Sequence, residues 1–133
     1  MIIKVFPDKE KAKSILELIE QRENYVRNSN FEGFPTGKGE NYYEILKELA
    51  TILLLLNGAK ATGENAHKEL FDELAKRKFI SEEERILAQD LRIKRNYSMY
   101  EGKKFKDIYL KNNEDKIKEI IFKLKEKINS NLK

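Results

Sequence analysis

The chain has no cysteine. Disulfide frameworks, thiolate zinc sites and cysteine nucleophiles are excluded together. His67 is the single histidine, so one chain cannot build a metal site from several histidines. Proline occurs only at Pro7 and Pro35, outside the long periodic segments, and all six glycines fall where connections are expected. The longest apolar run, Ile52-Leu53-Leu54-Leu55-Leu56, is far too short to span a bilayer. The start, Met1-Ile2-Ile3-Lys4-Val5-Phe6-Pro7, lacks the basic flank and long apolar stretch of a signal peptide. These absences predict a soluble, cytoplasmic protein with no membrane segment.

What is present is charge and helical periodicity. The 133 residues fit one helical domain, 1–133, with 38% charged and 40% hydrophobic residues. A chain of this size buries roughly two-thirds of its unfolded surface, enough for a core without staples. The net charge of +4 is unevenly spread. Between Arg92 and Lys106, six cations (Arg92, Lys94, Arg95, Lys103, Lys104 and Lys106) face Glu101 alone, which gives that window +5 and leaves the rest near −1. Such an excess concentrates polyanions nearby. The plain alternative is a solvated lysine-rich surface.

The periodicity predicts an all-α, up-and-down bundle of four to five helices. A first helix starts near Pro7-Asp8, with Asp8 as cap, carries Ala12, Ile15, Leu16, Ile19 and Val26 largely on one stripe, and ends near Asn28. Residues 29–39, rich in glycine with Pro35, read as the one sizeable loop. A second helix covers about Glu40 to Asn57, and its last turns are apolar nearly all round. It is therefore either central or shared with a partner chain. Gly58 is its stop. A third helix runs from about Glu64 to Lys76. The capping box Ser81-Glu82-Glu83-Glu84 opens a fourth, to about Tyr97. Gly102 marks a break, a short segment covers Phe105 to Leu110, and a last helix runs from about Glu114 to Ile128. Ile2 and Ile3 suit either a short strand or a packed lead-in.

Three constellations carry potential chemistry. Glu64-Asn65-Ala66-His67 has the Glu-x-x-His spacing of di-metal bundles, but those need a second such pair that one histidine cannot supply. No metal and no cofactor are expected. Gly37-Lys38-Gly39 before a helix has part of a phosphate-loop spacing, without the preceding strand or the Ser/Thr. The third is Leu91-Arg92-Ile93-Lys94-Arg95-Asn96-Tyr97-Ser98-Met99-Tyr100-Glu101-Gly102. On a helix, Arg92, Arg95, Asn96 and Met99 or Tyr100 share a face. Two guanidiniums, an amide and phenols on one face suit a phosphodiester and a stacked base.

The run from Asn57-Gly58 through His67 to Leu70, followed after a helix by Leu91-Arg92-Ile93-Lys94-Arg95-Asn96, resembles the HEPN superfamily, the higher-eukaryote and prokaryote nucleotide-binding domains. The likeness covers about residues 40–128. It implies a helical bundle that dimerises, and either a metal-independent ribonuclease of toxin–antitoxin type, paired with a nucleotidyltransferase-like antitoxin, or a protein that only binds RNA, nucleotides or partners. The family's catalytic signature is Arg, four to six residues, then His. Arg95 matches the Arg and Asn96 its polar follower. The position four residues further on holds Tyr100, and no histidine follows at all. His67 matches a different, structural histidine of the family.

A tyrosine with an ordinary pKa of about 10 is a poor base at neutral pH. Losing general acid–base help costs about 10²- to 10⁴-fold in rate. The resemblance then implies a weak or inactive member that binds RNA or a nucleotide as a homodimer. Arg95, Asn96 and Tyr100 stand at the motif, and Arg92, Lys94, Lys103 and Lys104 serve as nucleic-acid contacts. An active ribonuclease using Tyr100 or His67 as base, and a pure protein-interaction module, are the alternatives. The binding role requires the Arg95 guanidinium to lie free in an open groove. Arg95→Ala is then expected to abolish binding with the melting temperature nearly unchanged.

Overall fold

A computed structural model describes residues 1–133. Five helices carry the chain: α1 (Lys9–Asn28), α2 (Pro35–Leu56), α3 (Ala66–Lys76), α4 (Glu82–Glu101) and α5 (Asp107–Leu132). Two short strands, β1 (Ile2–Lys4) and β2 (Ala59–Ala61), pair antiparallel with Ile2 opposite Ala61. The all-helical class is as expected, with this small sheet added. None of the helices is long and apolar enough to cross a membrane.

Local chemistry sets most boundaries. The Asp8 side chain accepts from the Lys11 amide at 3.0 Å and caps α1. The Ser81 hydroxyl accepts from the Glu84 amide at 3.1 Å, while the Glu84 carboxylate accepts from the Ser81 amide at 2.8 Å. This capping box satisfies two orphan donors at the start of α4. Gly102, at φ 68°, ends that helix in the left-handed region.

The expected loop 29–39 is shorter than its composition suggested. Pro35 takes the first position of α2, where its missing N–H costs nothing. Gly37 and Gly39 lie inside the helix and are buried. They are small because aromatic rings lie against them. A Cβ on Gly37 would come within 2.5 Å of the Phe34 ring, and one on Gly39 within 2.5 Å of the Phe105 ring. Glycine here marks close approach, not a turn, and Gly37-Lys38-Gly39 forms no phosphate-cradling loop.

The expected break between a short segment at Phe105 to Leu110 and a helix from Glu114 is likewise absent. The Asn113 side chain donates to the Tyr109 carbonyl at 2.8 Å inside one continuous α5. Leu110, Ile117, Ile121, Leu124 and Ile128 hold one buried stripe across the polar interval.

Helix α2 is central, packed against all four other helices. Ile52, Leu53 and Leu54 are fully buried within the chain. This makes α2 central to the chain, while Leu55 and Leu56 at its very end are half-buried.

Candidate functional site

Arg92, Arg95, Asn96 and Tyr100 do share one side of α4, and the start of α3 lies across from them. Together with Gly63 to Lys68 they line a cleft of about 440 Å³. His67 is therefore brought to the same cleft as the arginines.

Gln89 ties the two walls together. It is the one buried polar side chain of the chain. Its amide nitrogen donates to the Lys68 carbonyl at 2.8 Å and to Asp72 Oδ1 at 3.0 Å. Its oxygen accepts from Arg92 Nε at 2.7 Å. That bond fixes the Arg92 stem and leaves its two terminal nitrogens without a carboxylate partner. A half-buried guanidinium held by a neutral amide keeps its full charge for a ligand. Gln89 was missed in the sequence. Its signal was a polar residue between Ala88 and Leu91 on the apolar stripe.

Arg95 corrects the sequence expectation. Its Nη2 donates to Glu44 Oε1 at 3.0 Å, and its guanidinium lies 5.3 Å from the centre of the Tyr43 ring. The side chain is only 15% exposed. Arg95 thus borders the cleft but is held in an internal ion pair. It is not the free anion hook that its motif position suggested, and the condition on which the binding role argued from Arg95 rested is not met. The other Glu44 oxygen takes Lys47 Nζ at 2.6 Å. Burial alone would push the Glu44 carboxyl up, but Lys47 and Arg95 outweigh it and hold it below the ordinary range.

Arg95→Ala should therefore lower stability as well as any binding. Breaking a buried pair costs about 3–5 kcal/mol, and because Lys47 remains on Glu44 we expect about 1–3 kcal/mol here. Urea unfolding measures it, and an unchanged midpoint would show the pair to be energetically idle.

The remaining groups are more open. Asn96 Oδ1 lies 3.5 Å from Arg95 Nη1, at the limit of a hydrogen bond. Tyr100 is 75% exposed at the cleft mouth, free to stack. His67 is exposed on the first turn of α3, its ring 6.4 Å from that of Tyr43. Partial burial, then the charges of Lys47 and Arg95, push its pKa below the ordinary value of about 6.5. The imidazole is neutral at neutral pH. Beneath it Tyr43 is fully buried, with a hydroxyl that finds no partner, and burial pushes its pKa up to about 12. Helix α3 begins without a side-chain cap; the Ala66 amide donates to the Gly63 carbonyl at 3.2 Å, and the His67 and Lys68 amides have no partner within the chain.

Lys94, Lys103 and Lys104 do not join this group. They line a separate cleft with Tyr97 and Tyr109. The basic window is continuous in sequence, but on α4 Lys94 faces away from Arg92, and Lys103 and Lys104 lie past the end of that helix at Gly102. Glu64 and His67 both border the first cleft, yet nowhere do three His, Asp or Glu side chains gather as a metal ligand set. Comparison with family models, curated proteins and solved structures finds no match.

Proposed function

We propose that this chain is a HEPN-like protein that binds single-stranded RNA or a nucleotide through the cleft between α3 and α4. The observation that carries this is the Arg92 guanidinium. It is aimed by Gln89, unpaired with any carboxylate, and set in one cleft with His67 and the exposed Tyr100. Arg92 takes a phosphate oxygen, the uncapped start of α3 adds its dipole, and Tyr100 stacks on a base. Arg95 positions Asn96 and the α2 wall instead of gripping the ligand. A homodimer and a nucleotidyltransferase-like partner belong to the same proposal through the HEPN resemblance. They would have to use surfaces other than Ile52 to Leu54.

Affinity should rise as pH falls, with the following sign. The folded pKa of His67 lies below its unfolded value. The stability this contributes is complete above about pH 6.5 and is lost as pH falls toward the folded value. A bound phosphate reverses the preference, because it favours the imidazolium. Titration of a short labelled RNA by fluorescence anisotropy should show tighter binding at about pH 5.5 than at about pH 8. The His67→Gln variant should flatten that difference. Equal affinity at both pH values would remove His67 from the site.

A second function, a metal-independent ribonuclease, is favoured by the placement of His67. A neutral imidazole in a cleft with Arg92 can take the proton of a 2′-hydroxyl as its oxygen bonds to phosphorus, and the imidazolium can return that proton to the 5′-oxygen as the P–O5′ bond breaks. Arg92 would stabilise charge on the phosphorane. Incubation of single-stranded RNA with EDTA should then yield 2′,3′-cyclic phosphate ends, lost in His67→Gln. No cleavage at high protein concentration leaves the binding role alone.

A further inference from the structure

On the opposite side of α4 from His67 lies a second cleft of about 430 Å³. Lys94, Lys103, Lys104 and Lys106 line it, and no acidic side chain does. Lys94 Nζ has only a distant carboxylate, Asp90 at 3.9 Å, and sits 4.8 Å from the Tyr109 ring centre. Lys103 Nζ lies 4.9 Å from the Tyr97 ring centre, and that ring is 46% exposed. Lys103, Lys104 and Lys106 make no ion pair.

The frame beneath these lysines is rigid. Phe105, between Lys104 and Lys106, is buried against Gly39 and stacks on Tyr109 at 6.1 Å and 18°. Its amide donates to Thr36 Oγ1 at 2.9 Å. The connection after α4 is thus pinned to α2, and its lysine stems rise from a fixed base. A cluster of like charges repels itself, so holding Lys103, Lys104 and Lys106 beside Lys94, with Asp90 the one carboxylate near them at 3.9 Å from Lys94, is unfavourable unless an anion arrives.

The two clefts meet at one place. The last turn of α4 presents Tyr100 to the His67 cleft and Tyr97 to the lysine cleft. At 1.5 Å per residue, Arg92 and the last residue of α4, Glu101, are about 14 Å apart along the axis, and Lys103 follows just past that end, its amide donating to the Tyr97 carbonyl at 3.1 Å. A few nucleotides span that distance.

We propose that one RNA strand engages both clefts, its reactive or terminal phosphate at Arg92 and His67, and its continuing backbone turned over the end of α4 onto Lys103, Lys104, Lys106 and Lys94. Tyr100 and Tyr97 are the two stacking platforms at the turn. The lysine cleft is a backbone track, sequence-tolerant and salt-sensitive, and the ligand class is a single strand several nucleotides long instead of a mononucleotide. This rests on the RNA-binding role of the His67 cleft.

The test compares a dinucleotide with a single strand of roughly 12 nucleotides, a typical single-strand site length, on the unaltered chain and on the double variant Lys103→Gln, Lys104→Gln. Both lysines are exposed, so the variant folds. The longer strand should bind at least about tenfold tighter than the dinucleotide. The double variant should lose most of that gain, with a log–log salt slope shallower by about 1.4 and unchanged dinucleotide affinity. If both lengths bind equally, or the salt slope does not move, the track is absent while the His67 cleft stands. If neither length binds, both are wrong.

Discussion

Replacing Arg92 with alanine is expected to weaken RNA binding about 10- to 100-fold, with little change in the unfolding midpoint. Hydrogen bonds to a charged group contribute about 1.5–3 kcal/mol each, and Arg92 is the one guanidinium of the cleft with no carboxylate to lose. Its removal frees the oxygen of the buried Gln89 side chain, and water can enter only through the space the arginine vacates. Arg92→Lys should recover only part of the affinity, because an ammonium cannot hold Gln89 and bind a phosphate bidentately at once. Gln89→Ala should weaken binding too, by releasing both Arg92 and the Lys68 carbonyl. Anisotropy titrations read the affinities, and chemical denaturation checks that the fold is intact. Unchanged affinity in Arg92→Ala would place the anion elsewhere.

Leu54→Ala is expected to destabilise the chain by about 2–5 kcal/mol, the cost of a large-to-small change in a closed core. Leu54 is fully buried on the central helix. The loss should be independent of protein concentration and should not alter the oligomeric state. A side chain at a subunit interface would behave differently: truncation would release monomers and make apparent stability depend on concentration. Denaturation at two protein concentrations, with sedimentation of the variant, separates the two. A variant that changes oligomeric state while keeping its stability would show that the α2 end is an interface.

The all-helical class, the caps at Asp8 and Ser81 and the shared α4 face of Arg92, Arg95, Asn96 and Tyr100 were legible because each depends on spacing within one element. What was hidden depends on contacts between elements. Gly37 and Gly39 looked like loop residues, since nothing local announces that Phe34 and Phe105 press on them. Polar Lys111, Asn112 and Asn113 looked like a break, although the Leu110–Ile117 spacing kept the helical stripe. The charge run from Arg92 to Lys106 looked like one surface, but α4 turns Lys94 away from the arginines and the Gly102 cap carries the later lysines to the same second cleft. Arg95 matched a motif, yet its partner Glu44 lies 51 residues away on α2. Its ion pair was invisible to local spacing, and it is the reason the proposed anion contact is Arg92 and not Arg95.

The chain supplies its own probe of the cleft. With a single histidine, the imidazole of His67 gives one resolved set of side-chain resonances across a pH titration. A proton NMR titration of that ring, without and with a saturating RNA dinucleotide, tests the proposed anion binding in this cleft most directly. Bound phosphate should shift the resonance and raise the His67 pKa from its depressed free value toward or above 6.5. A resonance and pKa that stay where they were, in RNA shown to be in excess, would contradict it.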